Sequence, residues 1–338
     1  MSFGDNDGYY TPVKKLLKLQ TSEILWIITG GRGMGKTDLF LRLACELYVR
    51  YGCTTGWIRN KQVELSDDAN YSSFLADAHK FKWCPKEWTT RPDGVYTSED
   101  RNASRVIEFK AISTFSNTRG AAHPDMLLCV LDEFMSEDGR YPKMCAKGLL
   151  SLANTMLRGR EGSRIVLLSN NVSCMNPYYA LFEIYPNPKY DVTIYKDKSI
   201  IMEQAYGYRK VIREGSPFDK LMRAGHMPQY EDVRADPLIG LVAPVPNGAK
   251  PMPWLMLMDG KYYREYVKGA TSFFDQWRSP VPDKIVVYSP NVHECSEGVH
   301  LIPKILIKQI SEHMMLNSIR FKDPNVMFKI LSMVYNAL

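Results

Sequence analysis

At 338 residues, with 24% charged and 45% hydrophobic side chains, the chain has the make-up of a globular protein with room for more than one domain, which excludes disordered and fibrous classes. Its net charge of +6 permits a polyanionic partner without requiring one. No apolar run approaches the length of a membrane span, and seven cysteines without a C-x-x-C pair point to free thiols in a reducing cytoplasm, not to a disulfide scaffold or a zinc site.

In chain order, the N-terminal MSFGDNDGYY lacks the basic-then-apolar pattern of a secretory signal. Its Tyr9-Tyr10 pair suits stacking on adenine or packing as an arm. Leu25 to Thr29 reads as a buried parallel strand, and Leu39, Leu43 and Leu47 put an apolar face on the helix that follows. Between them lies GGRGMGKT, the P-loop pattern G-x-x-x-x-G-K-[ST]. Gly30, Gly31, Gly33 and Gly35 let successive amides converge on an anion, with Arg32, Met34 and Asp38 in the same turn. Lys36 supplies charge for the β- and γ-phosphates, and Thr37 a hydroxyl for Mg²⁺. ATP with Mg²⁺ is the expected ligand.

Thr54 to Arg59 and Val106 to Ile112 read as two further strands. In MLLCVLDEF, Leu127 to Leu131 form a strand ending in Asp132, placed to hold Mg²⁺ opposite Thr37, and Glu133, placed to polarise the attacking water. The long interval between Lys36 and Asp132 suits an α/β P-loop ATPase of the additional-strand, catalytic-glutamate type with a parallel central sheet. Residues 147 to 164 predict an amphipathic helix with Leu149, Leu152, Met156 and Leu157 on one face, stopping at Gly159 among Arg158, Arg160 and Arg164. Such arginines compensate a helix dipole or, in a ring, reach a neighbour's site; Arg119, in SNTRGAAHP, is a second candidate for that reach. Arg164 to Leu168 predicts a strand ending in Ser169 and Asn170, at the same sheet edge as the P-loop and able to touch the γ-phosphate. Residues 186–196 predict an edge strand.

Farther along, residues 206–235 are rich in charge and turn formers, and 242–253 (VAPVPNGAKPMP) reads as a Pro-rich connector. Trp254 to Met258 predicts a strand turning at Asp259-Gly260, followed by strands at Tyr262 to Val267 and Ile285 to Tyr288 without inward carboxylates. Helices are expected over Pro303 to Leu316 and Asn325 to Leu338.

GGRGMGKT, VLDEF and the run NTMLRGREGSRIVLLSNNVSCMNPYYALFEIYP together resemble the genome-packaging motor ATPases of small podovirus-type tailed bacteriophages, which act with a packaging RNA at the portal vertex. The resemblance covers most of residues 10–190. It implies a homopentameric ring driving double-stranded DNA into a procapsid, in the host cytoplasm, transiently at the portal vertex and absent from the mature virion, with no membrane. Glu133 would be the catalytic base, with Lys36 on the phosphates; Arg158 matches the family's arginine finger, Arg119 its trans-acting lysine, and Arg32 its extra basic P-loop residue. The resemblance further implies an ATPase domain (1–200), a linker domain (201–240) and a small α+β C-terminal domain (241–338) shaped like RNase H. Lacking clustered acids, that last domain is expected to be a nuclease-like shell that binds RNA or procapsid and does not cleave. Sequence-blind DNA contacts fall to Arg59, Lys61, Arg140 and Lys143. The competing readings are a monomeric P-loop kinase or small-molecule ATPase, and a nucleotide-gated scaffold.

Overall fold

The computed structural model describes residues 22–65, 75–76, 78–79, 82–114, 125–136, 139–170, 173–205, 216–224 and 240–337. Arg119, the Tyr9-Tyr10 pair and most of the expected linker domain lie outside these residues. The chain divides into two compact units, Met1–Val172 with Pro186–Ala235, and Ser173–Tyr185 with Asp236–Leu338. Among the described residues, no helix is long and apolar enough to cross a membrane.

The first unit is built on a nine-stranded sheet. Its strands are β1 (Leu25–Gly30), β2 (Thr55–Arg59), β3 (Thr89–Arg91), β4 (Gly94–Tyr96), β5 (Arg105–Ala111), β6 (Leu128–Asp132), β7 (Arg164–Ser169), β8 (Val192–Tyr195) and β9 (Ile200–Ala205), in the spatial order β3-β4-β5-β2-β6-β7-β1-β9-β8. From β5 through β2, β6, β7 and β1 to β9 all neighbours are parallel, while β3, β4 and β8 run antiparallel at the edges. Near-continuous burial of LWIITG, LCVLD and RIVLLS is what a sheet covered on both faces demands. Strand β7 sits between β1 and β6, so one strand separates the P-loop strand from the acid-bearing strand. Helix α1 (Lys36–Tyr51) follows the P-loop and α2 (Cys145–Leu157) precedes β7, burying Leu149, Leu152, Met156 and Leu157 as the spacing required.

Strand β9 carries this sheet past residue 200, where the sequence suggested a boundary. It pairs with β1 from Leu25↔Ile200 to Gly30↔Ala205. Its IIMEQA pattern hid it: Glu203 and Gln204 are buried, and the Gln204 amide donates to the carbonyls of Asn187 at 2.7 Å and Tyr190 at 3.2 Å. The pairing also explains Gly30, because a Cβ there would stand 2.2 Å from the Ala205 carbonyl oxygen.

The interruption in the first unit is the segment Ser173–Tyr185, which carries helix α3 (Pro177–Phe182) and belongs to the second unit. Helix α4 (Pro217–Ala224) lies within the expected linker domain.

In the second unit, β10 (Lys250–Pro251), β11 (Trp254–Met258), β12 (Lys261–Lys268), β13 (Thr271–Trp277), β14 (Val286–Ser289), β15 (Val299–Leu301) and β16 (Ile319–Phe321) form one mixed sheet. The order is β15-β14-β11-β12-β13-β16, with β10 paired to β12. Strands β11, β12 and β13 form an antiparallel meander; β14 and β15 continue it in parallel beyond β11, and β16 beyond β13. Asp259 and Gly260 have φ of 50° and 71°, the two positive values of a tight hairpin turn, as read from the sequence. Helices α5 (Lys304–Met315) and α6 (Pro324–Ala337) complete the unit.

Helix α3 is held there by specific contacts. Asn176 caps it, accepting from the amides of Tyr178 and Tyr179 at 3.1 and 2.9 Å. The Tyr335 hydroxyl donates to the Met175 carbonyl at 2.8 Å, Lys329 pairs with Glu183 at 2.8 Å, and Tyr185 stacks on Phe328. Nor is the Pro-rich stretch 242–253 only a connector. The Leu241 carbonyl and Ala243 amide bracket Phe321 in strand-like pairing at 2.8 and 2.9 Å.

Candidate active site at the sheet edge

Because β2, β6, β7 and β1 are parallel, their carboxyl ends deliver Arg59, Asp132-Glu133, Asn170 and the P-loop to one edge. Gly35 precedes α1 in the left-handed region at φ 89°, so the loop delivers its next residue, Lys36, into the first turn of the helix. Lys36 is buried, and its ammonium donates to the carbonyls of Gly30 at 3.0 Å and Gly31 at 2.8 Å and to Asn170 Oδ1 at 3.1 Å. Three acceptors match its three protons. Burial pulls its pKa down to about 8, against the attraction of Asp132. Gly31 and Met34 are buried in the loop, whereas Arg32 and Asp38 are exposed.

Thr37 Oγ1 donates to Asp132 Oδ1 at 3.2 Å, so the hydroxyl and carboxylate expected to share Mg²⁺ face each other. Burial pushes the Asp132 carboxyl above its usual range; Arg59, Thr37 and Lys36 oppose that push and Glu133 adds to it. The oxygens of Thr37 and Asp132 are hard donors of the kind Mg²⁺ takes.

Glu133 carries a side chain 55% exposed on a backbone in the left-handed region, φ 55°. For a residue with a Cβ that conformation costs about 1–2 kcal/mol, and neighbouring bonds hold it. The Asn60 amide donates to the carbonyls of Glu133 and Phe134 at 3.2 and 3.1 Å, and the Phe134 amide donates to Leu168 O at 3.0 Å.

Arg59, expected from the sequence to touch DNA, has its guanidinium on the acids, reaching Asp132 Oδ2 at 2.9 Å and Glu133 Oε2 at 2.7 Å. Arg59 closes β2, and the parallel register of β2 beside β6 aims it at the acids. Lys61 is half-buried nearby, and Arg140 and Lys143 are exposed after β6. Asn60, missed in the sequence, showed only as a polar residue closing an apolar strand.

The helix-end arginines separate. Arg160 donates to the carbonyls of Met126, Met156 and Leu157 at 3.1–3.2 Å, capping α2 within its own chain. Arg164 is buried, its guanidinium 5.8 Å from the Trp26 ring centre. Arg158, at the left-handed C-cap of α2 with φ 49°, turns an exposed side chain outward.

In the second unit the acids do not gather: among the described residues no group of three or more metal-ligating side chains occurs. Asp259 pairs with Lys329 at 2.9 Å. Strand β12 does carry one inward carboxylate, contrary to expectation. Glu265 is 5% exposed and accepts from the Ser272 hydroxyl at 2.5 Å.

Residues 4–233 match the Podovirus DNA encapsidation protein (Gp16) family. The chain belongs to this family. The DNA packaging proteins of Bacillus phages phi29 and B103 are each 27% identical to it, over 198 and 183 residues; these matches span 58% and 53% of this chain, and little more than half, 56% and 54%, of the relatives' lengths. Two solved structures share the fold over 97% of this chain: the Phi-28 gp11 DNA packaging motor (TM-score 0.74, 18% identity, 98% of that chain) and the bacteriophage Phi-29 genome packaging motor assembly (0.62, 21%, 99%). The N-terminal domain of the phi29 DNA packaging ATPase matches 58% of this chain and 96% of its own at 26% identity, with a TM-score of 0.50.

Proposed function

We propose that this encapsidation-family chain is a genome-packaging motor ATPase, hydrolysing ATP at the edge of the first unit's sheet to drive double-stranded DNA into a procapsid. The observation carrying the reading is Thr37 facing Asp132 at 3.2 Å beside a P-loop lysine. Lys36 exchanges carbonyl partners for phosphate oxygens, Thr37 and Asp132 hold Mg²⁺, and Asn170 contacts the γ-phosphate. Mg²⁺, when bound, supplies positive charge to the phosphate oxygens. Glu133 takes the proton of the attacking water once Arg59 releases its carboxylate. Arg158 serves a neighbouring subunit as its finger, with Arg119 as a second trans contact, in a ring read as pentameric. Lys61, Arg140 and Lys143 track the DNA backbone.

The partners proposed with this reading are packaging RNA and the portal of the procapsid, met in the host cytoplasm during assembly. The second unit is read as an RNase H-shaped shell, supported by its meander β11–β12–β13 continued by parallel strands. It is read as inactive, because Asp259 is paired with Lys329 and Glu265 with Ser272.

The test is ATP turnover against protein concentration, with and without non-specific double-stranded DNA, for wild type and Arg158→Ala. The motor reading expects cooperative, DNA-stimulated turnover that Arg158→Ala lowers by about 10³-fold or more. Linear, DNA-indifferent turnover surviving the substitution would favour a monomeric kinase or small-molecule ATPase.

A further inference from the structure

We infer that Asn60 is a positioning residue for hydrolysis, setting the main chain from which Glu133 presents its carboxylate. The inference rests on the reading of Glu133 as the base. Asn60 follows β2 directly and is 2% exposed, while its own carbonyl accepts from the Ser113 amide at 3.1 Å. The residue is therefore fixed at its backbone before its side chain acts. Its amide nitrogen lies 3.2 Å from Glu133 O and 3.1 Å from Phe134 O. Both partners are carbonyl oxygens, which accept and never donate, so the NH₂ end must face them. One side chain thus ties two consecutive carbonyls just past the end of β6.

Glu133 needs that tie because it occupies the left-handed region at φ 55°, where a non-glycine residue persists only if its surroundings impose it. Phe134, fully buried and bonded to Leu168 O, fixes the far side of the turn. The near side is fixed by Asp132 in β6. Between these two, the Glu133 peptide has Asn60 as its side-chain anchor. The division of labour between neighbours follows: Arg59 grips the Glu133 carboxylate, which must move to work, while Asn60 grips the carbonyl, which must not. With the peptide pinned, the carboxylate swings on its χ angles alone and returns to one place. Without it, the turn relaxes toward an ordinary conformation and carries the carboxylate away from the γ-phosphate. A displacement of about 1 Å in a reacting group is worth on the order of 10²-fold in rate.

The experiment compares full-length wild type, Asn60→Ala, Asn60→Asp, Glu133→Gln and the double variant Asn60→Ala with Glu133→Gln. Single-turnover ATP hydrolysis is measured beside the affinity for a non-hydrolysable ATP analogue with Mg²⁺. The expected result is a loss of about 10- to 100-fold in turnover for both Asn60 variants, with analogue affinity within about twofold of wild type. Asn60→Asp keeps the shape but turns an accepting oxygen toward two carbonyls, so it separates hydrogen bonding from packing. In the Glu133→Gln background, Asn60→Ala should cost nothing further, because the group it positions has already lost its proton-accepting role. Wild-type turnover in either Asn60 variant would overturn the inference. So would a full additional loss in the double variant, or loss of analogue binding in both Asn60 variants, which would assign Asn60 to folding. If Glu133→Gln itself hydrolyses like wild type, the reading of Glu133 as base falls first, and the inference with it.

Discussion

Asp132 and Glu265 are both buried in sheets of this protein, one in each unit, and they have opposite surroundings. Asp132 stands at the end of a parallel strand where three neighbouring strand ends deliver Lys36, Arg59 and Asn170 around it. Glu265 stands in the middle of an antiparallel meander, with the Ser272 hydroxyl against it and His313 opposing the effect of burial. Burial pushes both carboxyls up, but only Asp132 has Arg59 and Lys36 opposing that push and an exposed acid, Glu133, beside it. Parallel strands put all their carboxyl ends on one edge, and the loops leaving them converge. An antiparallel meander scatters its ends on two edges, so a single inward acid stays structural.

The sharpest way to break this comparison is to amidate one acid at each place, Glu133 beside Asp132 in the first unit and Glu265 in the second. Glu133→Gln should lower ATP turnover by about 10²–10⁴-fold, the range of a lost general base, whereas Glu265→Gln should leave turnover within twofold. A comparable loss from both, measured with folded protein, would erase the distinction. Glu265→Gln has its own signature in stability. The folded carboxyl lies above its ordinary value of 4.5, so the wild type gives up stability as pH rises from that value through the folded one. The gap to Glu265→Gln in thermal denaturation should therefore shift in favour of glutamine as pH rises.

The second effect is set by Lys36. Its pKa of about 8 means the free site carries a neutral amine above that pH, while bound phosphates favour the ammonium. ATP-analogue affinity should be flat below about pH 8 and fall by up to tenfold per pH unit above it, with proton uptake visible as buffer-dependent binding heat. Flat affinity to pH 10 would show that the lysine keeps its charge in the free protein.

The smallest effect separates the two arginine classes. Arg59→Ala should change turnover several-fold and leave the salt dependence of DNA binding unaltered, since its guanidinium is engaged by Asp132 and Glu133. Arg140→Ala with Lys143→Ala should leave basal turnover unchanged and reduce the salt slope by roughly one per lost phosphate contact. The reverse pattern would return Arg59 to the DNA.

The meeting of the P-loop and the Asp132-Glu133 pair at one sheet edge was largely readable from the sequence because its signals are local: a glycine-lysine loop between strand and helix, and an acid pair closing an apolar run. What escaped notice depends on partners distant in the chain. Arg59 and Asn60 gain their roles only from the β2–β6 register. Strand β9 carries buried Glu203 and Gln204 in place of an apolar run, and Glu265 was passed over because its Ser272 partner lies on the next strand. Helix α3 has an ordinary cap and start; nothing in PYYALF says which unit it joins.

That helix has a consequence for how the chain must fold. Its fully buried Tyr178 and Tyr179 emerge from the ribosome while α6, the helix that packs on α3, is still unmade. The first unit can pair β7 with β1 and β6 at once, yet the loop leaving β7 carries an apolar helix whose shelter arrives only with the last residues of the second unit. Contacts of such long sequence separation form late and leave sticky surface exposed in the meantime. The slow phase of refolding should therefore report α3 joining α6, and nascent chains halted before residue 324 should aggregate through those two tyrosines.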